Sequence, residues 1–543
     1  MKKIYLILAL CGAWVAGMAC TNFLVGKAAS VDGSTMISYA ADSYALYGFL
    51  HYAPAADHPA GAMREVKDWD TGKPLCTIPQ VAHTYNVVGN MNEHQLTIGE
   101  TTWGGRPELE VGEGIDYGSL MYIALERCKT AREAIKCMTN LVAEYGYASS
   151  GETFSIADPN EVWLMELIGK GKVEKGAVWV ATRVPDDCIA AHANQARFTT
   201  INFKDKKNWM WSKDVVDFAR KQGYFEGKDA DFNFQEAYAP YDFSGLYVCE
   251  ARVWSFFRKF SDDMDKYFDF ASGKTFVETG GKDAGERMPL YIQPNHKVSA
   301  QELKDCMRDQ YEGTPLDITQ GPDAGPWNSK LRYGSLGFQY DSVQYWFERP
   351  IATQQTGWSF VAQMRGYESA KAGSIFWFGV DDAASTVYVP MYSSITQVPN
   401  CFAEGNGDMY TYSPTSAWWT FNIVANWAYT KYSAMMPDIK KVQTMWENRF
   451  NAKVEEVDQT VANMNAKDAQ VWLTRYSNVQ AEKVTQAWKQ LGIYLFTKYL
   501  DGQERKEKNG KFLRNEYGQP EGPNRVPYPA SFLESIHEQI AHE

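Results

Sequence analysis

The sequence predicts a layered α+β fold, and two features of its apolar pattern support that prediction. Candidate β-strands fall in groups, within residues 22–39, 85–100, 153–182 and 350–400. Long stretches of helical periodicity are separate from these groups, at 119–145 and again beyond residue 425. Pairs of strands interspersed with isolated long helices favour packed layers of sheet and helix over a parallel βαβ series.

The first strand pair is the most specific local signal. The runs 22–26 and 35–39 are rich in β-forming residues, and Asp32-Gly33 precedes the second run. An Asp-Gly dipeptide between two such runs predicts a hairpin-type return. Asp42 would then lie back near the start of the first strand, close to Cys20. An aspartate there could bind an ammonium group or orient a thiol, or it could simply cap a turn.

The remaining elements follow in chain order. Further strands are predicted at 85–89, 96–100, 153–157, 162–168, 177–182, 359–364, 374–379 and 386–391. A helix is predicted over 119–145, ended by Gly146, and two more over 439–464 and 468–499. The segment 200–300 is aromatic and charged with loop-like stretches, and the tail 501–530 is predicted to be irregular. We therefore divide the chain into a leader (1–19), a catalytic domain with insertions (20–425) and a helical C-terminal region with an irregular tail (426–543).

The leader makes Cys20 a candidate nucleophile. Met1-Lys2-Lys3 is followed by an apolar stretch, and residues 17–19 read Gly-Met-Ala. This is the pattern of a signal peptide with a small-x-small cleavage site, and it is too short for a membrane anchor. Cleavage after Ala19 would leave Cys20 with a thiol (reference pKa about 8.5) and a free α-amine (about 8) on one residue. A nucleophile and a base would then be adjacent.

Two other interpretations of Cys20 stay open on the leader alone. It could be an ordinary first residue without a chemical role. It could also be a lipoprotein cysteine, although lipidation usually requires a Leu-like residue three positions earlier, where this chain has Gly17.

Composition excludes several other classes of protein. The formal net charge of −12, without a compensating run of lysine or arginine, argues against a nucleic-acid partner. The eight histidines have no metal-ligand spacing, and no CxxC, Walker loop or GxSxG motif occurs. We therefore expect neither a metal nor an organic cofactor.

Ordered sequence blocks then indicate a family. They include residues 19–27, 29–36, 89–93, 117–118, 126–134, 151–152, 157–163, 183–185, 193–197, 311–314 and 348–353. Together they resemble the C69 family of cysteine dipeptidases, which are N-terminal-nucleophile hydrolases. The likeness is clear over roughly 20–400 and looser to about 500. It implies a four-layer αββα sandwich and hydrolysis of dipeptides or short peptides, with kinship to bile-salt hydrolases and penicillin acylases.

The resemblance also implies roles for individual residues. Cys20 matches the nucleophile and Asp42 its partner, while Asn194 matches the oxyanion asparagine. Arg252 is the best match to a later active-site arginine, although a surface salt bridge is an equally good interpretation of that residue.

Three further residues are assigned to substrate binding, namely Tyr39, Asn92 and Thr102. Tyr39 stands where the family pattern has an arginine, three residues before the aspartate, which could change the thiol pKa or the choice of substrate. Thr102 stands where some amide-cleaving relatives have a second oxyanion asparagine.

The sequence therefore predicts a secreted or periplasmic cysteine dipeptidase. The expected partner is a dipeptide or short peptide, with no transmembrane helix after leader removal and with a homo-oligomer possible. The alternatives are an amide acylase of the bile-salt hydrolase or penicillin acylase type, and a non-catalytic lipoprotein that binds peptides or glycans.

Overall fold

The computed structural model describes residues 20–110, 112–333, 336–367, 371–524 and 528–541. The predicted leader, residues 1–19, lies outside the described residues. The strands in chain order are β1 Thr21–Val25, β2 Thr35–Asp42, β3 Tyr52–Ala53, β4 Ala56–Asp57, β5 Met63–Lys67, β6 Pro74–Pro79, β7 His83–Thr84, β8 Val87–Val88, β9 Met91–Asn92, β10 Thr97–Trp103, β11 Gly151–Ala157, β12 Val162–Gly169, β13 Ala177–Val184, β14 Ile189–His192, β15 Trp209–Trp211, β16 Tyr291–Ile292, β17 Gly337–Tyr340, β18 Val343–Trp346, β19 Thr356–Met364, β20 Ile375–Val380, β21 Val389–Tyr392, β22 Glu507–Lys508 and β23 Lys511–Phe512.

The α-helices in chain order are α1 Tyr117–Arg127, α2 Ala131–Tyr145, α3 Val215–Lys221, α4 Phe234–Tyr238, α5 Ala251–Phe257, α6 Phe268–Ala271, α7 Lys274–Glu278, α8 Ala300–Cys306, α9 Ala417–Thr430, α10 Tyr432–Ala462, α11 Ala466–Lys498 and α12 Ala530–Ala541. A π-helical turn, Gly245–Glu250, leads directly into α5. Among the described residues, no helix combines the length and the apolar character needed to cross a membrane.

Two antiparallel sheets form the centre of the fold. The first has the strand order β16-β14-β1-β2-β19-β20-β21, and the second has the order β15-β13-β12-β11-β10-β9-β8-β3. Strands β1 and β2 of the first sheet contact β10 of the second, and β2 also contacts β11. Helices α1 and α2 contact the second sheet, whereas α5, α8, α9 and α11 contact the first. The mixed α and β character predicted from the sequence is confirmed.

The burial of β1 and β2 explains their composition. Every residue of both strands is buried, because one face of the sheet meets the second sheet and the other meets helices. Phe23 of β1 stacks on Phe256 of α5 at 4.0 Å between ring centroids. Its neighbour Asn22 pairs with Tyr39 of β2 in the antiparallel register. Since side chains alternate between the faces of a strand, Asn22 and Tyr39 point away from α5, toward the second sheet.

A glycine allows the two sheets to approach closely at this point. A Cβ atom on Gly99 of β10 would lie 2.8 Å from Asn22 Nδ2 and 3.3 Å from Tyr39 Cβ. A larger residue would therefore force β10 away from β1 and β2. The next residue along β10, Glu100, thereby comes within reach of the first sheet.

The local predictions differ from the structure mainly where helices break. The predicted helix 119–145 is two helices, because the chain leaves α1 at Cys128 and Thr130 starts α2 by accepting a hydrogen bond from the Glu133 backbone N–H. Gly146 ends α2 at φ +94°, as predicted. The segment 200–300 contains α3 to α7, and loop-like stretches lie between these helices. In the tail, the short β22–β23 hairpin lies within 501–530 and α12 follows it.

The C-terminal helices share a hydrophobic core with the first sheet. The predicted boundary between residues 425 and 426 falls inside α9, and buried residues of α9, α10 and α11 belong to the same cluster as β1. Arg365, just after β19, forms an ion pair with Asp458 of α10 at 2.7 Å. The division at this boundary rests on the sequence pattern alone. In the structure, α9, α10 and α11 pack on the first sheet.

Trp488 tests how strongly α11 is held. This side chain is fully buried and stacks on Phe421 of α9 at 4.6 Å between ring centroids. Trp488→Ala should lower the free energy of unfolding by about 3–5 kcal/mol, because it removes a large buried side chain and leaves a cavity. Urea denaturation would show a lower midpoint. The matched control is Trp427→Ala, since Trp427 is 39% exposed. Equal losses in the two variants would contradict this account of the core.

Candidate active site

Cys20 lies directly before β1, beside the end of β2. Because Thr21 pairs with Ala40, the antiparallel register brings Cys20 alongside Asp42, the last residue of β2. The Cys20 Sγ atom is 3.6 Å from Tyr39 Oη and 3.6 Å from Glu100 Oε1, and it has a backbone hydrogen bond with Asp42. The hairpin return predicted from Asp32-Gly33 thus places Asp42 at the start of the first strand.

The surroundings of the thiol disfavour its ionised form. Burial raises the pKa of Cys20 well above its usual value, and the negative charges of Glu100 and then Asp42 raise it further. Hydrogen bonds from the Asp42 backbone and from Tyr39 act in the opposite direction. In the full-length chain, where the Cys20 nitrogen is bonded to Ala19, the thiol is therefore held protonated.

Arg252 is fully buried and anchors the start of β1. It is the second residue of α5, directly after the π-helical turn, and its Nε donates to the Val248 carbonyl at 2.8 Å. Its Nη1 donates to the Cys20 carbonyl at 2.7 Å and to Thr21 Oγ1 at 2.8 Å. The alternative interpretation of Arg252 as a surface salt-bridge residue is wrong, because the side chain is fully buried. π-Helical turns often occur at functional sites, and this one aims a guanidinium at the candidate nucleophile.

Asn194 joins the same network from the loop after β14. Its Oδ1 accepts a hydrogen bond from Arg252 Nη2 at 3.0 Å, and its Nδ2 donates to the Thr102 carbonyl at 2.5 Å. Its φ of +61° lies in the left-handed region, which asparagine tolerates better than most residues. One hydrogen on Nδ2 is left for another acceptor.

Asp42 belongs to a buried ion pair. Its Oδ2 accepts from Arg349 Nη2 at 2.6 Å, and its Oδ1 accepts from Thr356 Oγ1 at 2.6 Å. Both charged side chains are almost completely buried. The Asp42 carboxylate is therefore held by Arg349, while its backbone contacts the Cys20 thiol.

Two buried glutamates lie on the other flank of Cys20. Glu100 on β10 accepts a hydrogen bond from Tyr39 Oη. Glu152 on the neighbouring strand β11 accepts from Thr102 Oγ1 at 2.8 Å, and the two carboxyl groups lie within hydrogen-bonding distance of each other. Burial raises the pKa of both glutamates, and the charge of Glu100 raises that of Glu152 well above its usual range.

The structure brings together six of the seven predicted site residues, which are Cys20, Tyr39, Asp42, Thr102, Asn194 and Arg252. Asn92 lies elsewhere. Its Nδ2 donates to the carbonyls of Leu125 and Cys128 at the end of α1, and its Oδ1 accepts from the backbone N–H groups of His94 and Leu96. This amide stabilises a turn and is not directed at Cys20.

Three residues at the site were not predicted from the sequence, namely Glu100, Glu152 and Arg349. A charged residue inside an otherwise apolar strand could have indicated a functional position from the sequence, because burying a carboxylate without a compensating partner is costly. Glu100 falls in the predicted strand 96–100, and Glu152 and Arg349 lie within the ordered blocks that carry the family resemblance. Among the described residues, no group of three or more His, Cys, Asp or Glu side chains has an arrangement that could hold a metal ion.

Comparison with known proteins identifies the family. The model of peptidase family C69 matches residues 19–445. The chain belongs to peptidase family C69.

Individual relatives agree with this assignment. The chain is 24% identical over 501 residues to a probable dipeptidase of Latilactobacillus sakei, covering 88% of this chain and 95% of the relative. It is 26% identical over 398 residues to a probable dipeptidase of Salmonella dublin, covering 70% and 82%. It is 24% identical over 487 residues to dipeptidase A of Lactobacillus helveticus, covering 83% and 90%.

The charge of Glu100 can be tested through the reactivity of the thiol. Glu100→Gln removes one of the negative charges that raise the pKa of Cys20, so the pKa should fall and alkylation at neutral pH should become faster. The rate of iodoacetamide labelling of the Cys20 peptide, followed by mass spectrometry against pH, measures this shift. The control is Glu166→Gln, another buried glutamate, which accepts from the Arg197 and Phe198 backbones. An unchanged or raised midpoint in Glu100→Gln would contradict this electrostatic account.

Proposed function

We propose that the protein is a cysteine-type dipeptidase that acts through an N-terminal Cys20. The observation that carries this proposal is that Asp42, Arg252 and Asn194 come together around Cys20 from three distant parts of the chain. The Asp42 backbone contacts the thiol, Arg252 donates to the Cys20 carbonyl, and Asn194 accepts from Arg252. The family supports a peptidase. The relatives named above are all dipeptidases or probable dipeptidases, and they supply the substrate class of the proposal.

The fold supports the same proposal. We assign the two facing sheets, with α1 and α2 on one side and α5, α8, α9 and α11 on the other, to the four-layer αββα sandwich of the N-terminal-nucleophile hydrolases. In this assignment Cys20 begins a strand that is hydrogen-bonded on both sides, to β14 and β2. A nucleophile held in this way keeps its position during catalysis.

Activation requires a cut between Ala19 and Cys20. Before the cut the Cys20 nitrogen is a peptide nitrogen, which has no basic lone pair. Afterward it is an amine with a pKa of about 8, which is basic enough to accept the thiol proton. The signal-peptide pattern supplies a route, since export to the periplasm or beyond would make this cut. Processing and activation would then be the same event.

The reaction is an acyl transfer in two stages. The Cys20 α-amine takes the thiol proton, directly or through one water, and Sγ attacks the carbonyl carbon of the scissile amide. The oxyanion forms beside Asn194 Nδ2 and a backbone N–H, which stabilise it. The C–N bond then breaks, the ammonium returns its proton to the leaving amine, and a thioester remains. Water, deprotonated by the same amine, attacks the thioester and releases the acid and the thiol.

The surrounding residues position the nucleophile. Arg252 holds the Cys20 carbonyl, and the Thr21 hydroxyl reinforces that contact. The Asp42–Arg349 ion pair holds the end of β2 against the thiol. Arg252 also fixes the Asn194 amide, so that a single guanidinium orients both the nucleophile and an oxyanion donor.

Loss of the nucleophile is the first test. In the processed protein, Cys20→Ala should lower kcat/KM for a dipeptide such as Ala-Ala by at least about 10³-fold, because no other group can form the acyl-enzyme. Cys76→Ala is the control, since Cys76 is a partly buried free cysteine on β6, outside the site. Retention of full activity in processed Cys20→Ala would refute the mechanism. Hydrolysis of N-acyl amides in place of dipeptides would favour an acylase.

The second test separates processing from folding. Ala19→Leu should block the cut, because signal peptidase requires a small residue there, and the folded full-length chain should then be inactive. Met18→Leu is the matched control, since the middle position of the small-x-small pattern is unrestricted. Intact mass and N-terminal sequencing identify the product of each variant. A full-length Ala19→Leu protein as active as the processed enzyme would contradict the proposal, and an acylated Cys20 would indicate a lipoprotein.

A further inference from the structure

Two buried carboxyl groups beside Cys20 lack a cationic partner. Glu100 and Glu152 are both 0% exposed, and within the described part of the chain neither forms an ion pair with lysine, arginine or histidine. Their donors are uncharged: the Tyr39 hydroxyl and the Cys20 thiol donate to Glu100, and the Thr102 hydroxyl donates to both glutamates. The other buried acid at the site, Asp42, is fully paired with Arg349. A buried carboxylate without an opposite charge is costly, so this pair requires an explanation.

One oxygen of the pair has no donor. Glu152 Oε2 is buried and receives no hydrogen bond from any N–H or O–H of the described residues. The carboxyl group of Glu100 faces Glu152, so the two acids have either a shared proton or a cation to offset their repulsion. Asp70, which accepts from Tyr117 Oη at 3.1 Å, adds a third negative charge nearby. The chemistry of this flank is that of a cation site.

The position of Glu100 matches one cationic group in particular. In a peptide with a free amino terminus, standard covalent geometry places the α-nitrogen of the first residue only about 2.5 Å from that residue's carbonyl carbon. A thiol poised to attack that carbon lies about 3–3.5 Å from it. A carboxylate that binds this ammonium must therefore lie close to the attacking sulfur. Glu100 Oε1 lies 3.6 Å from Cys20 Sγ.

Neighbouring residues connect the pair to solvent. Thr102, which donates to Glu152, and Asn194, which bonds to the Thr102 carbonyl, are both only partly buried. Asp70 is exposed. The exposures of Cys20 and the two glutamates are those of the full-length chain, in which Ala19 still occupies the Cys20 nitrogen. A partly exposed side chain, that of Thr102, is therefore one hydrogen bond away from the buried pair.

We propose that Glu100 and Glu152, with Tyr39 and Thr102 orienting them, bind the free α-ammonium group of the substrate's first residue. This inference rests on the proposed function and makes it more specific. The enzyme would cleave the first peptide bond of short peptides that carry an unmodified amino terminus. It would reject amides whose acyl part lacks that charge, including N-acylated peptides, because such a substrate leaves the buried carboxylates without a counter-charge.

A pair of substrates that differ only in the ammonium group tests the proposal on the processed wild-type enzyme. Ala-Ala and propionyl-alanine have the same scissile bond and nearly the same size, and only the first carries an α-ammonium. We expect kcat/KM for Ala-Ala to exceed that for propionyl-alanine by at least about 100-fold, since sites built around a polar substrate group discriminate strongly against analogues that lack it. N-acetyl-Ala-Ala should be a similarly poor substrate.

Two variants assign the selectivity to the glutamates. Glu100→Gln and Glu152→Gln should each lower the ratio of the two kcat/KM values by at least about tenfold, chiefly by slowing Ala-Ala hydrolysis. A change in the thiol itself affects both substrates alike and cancels in this ratio. Glu152→Gln is the cleaner variant, because Glu152 makes no direct hydrogen bond to Cys20 and glutamine can still donate to Glu100. Asp381→Asn is the control, since Asp381 is another buried acid, bonded to Asn422.

The outcomes separate this inference from the proposed function. Equal cleavage of Ala-Ala and propionyl-alanine by wild type, with activity lost in Cys20→Ala, would overturn the ammonium site and leave the cysteine hydrolase intact. An unchanged ratio in both glutamine variants would overturn it as well. Hydrolysis of neither substrate by correctly processed wild type, or hydrolysis that survives Cys20→Ala, would overturn the proposed function itself.

Discussion

The geometry of the candidate site depends on the buried guanidinium of Arg252. A guanidinium has five N–H donors. The acceptors around this one include the carbonyls of Val248, Cys20 and Ala193, Thr21 Oγ1 and Asn194 Oδ1. These acceptors come from α5's own π-helical turn, from the start of β1 and from the loop after β14. A lysine could not satisfy them, because its three donors radiate from one atom. Cys20 and Asn194, the proposed nucleophile and oxyanion donor, are therefore held by the same guanidinium.

The charges around Cys20 are arranged with opposite signs on its two flanks. Arg252 and Arg349 lie toward the helices and the end of β2, while Glu100 and Glu152 lie on the second sheet. Hydrogen bonds connect the flanks through Asn194 and Thr102. This polarity can orient a short peptide relative to the sulfur, because the positive end of the substrate has a favourable position on one flank only.

Tyr39, which stands where the family pattern has an arginine, changes the charge next to Glu100. An arginine at this position would bring a positive charge next to Glu100, whereas the tyrosine offers only a hydroxyl donor. The charge of Glu100 is consequently not offset by a cation at this position, so that it raises the pKa of the Cys20 thiol and makes the flank attractive to a cation. A single residue thus affects both the nucleophile and the proposed substrate preference.

The sequence by itself determined those features that depend on local spacing. The Asp-Gly return brings Asp42 back to Cys20, Gly146 ends a helix, and most strands lie within a few residues of their predicted bounds. Asn194 and Arg252 were found through family likeness, and their contacts became visible only in the structure. Only the tertiary structure decided which side chains face Cys20 from the second sheet. Strand periodicity tells which residues share a face, but it does not tell which two faces meet. Glu100 reaches Cys20 across 80 residues of sequence because Gly99 lets the sheets approach, and Asn92 fails to reach it because its amide is used in a turn at the end of α1.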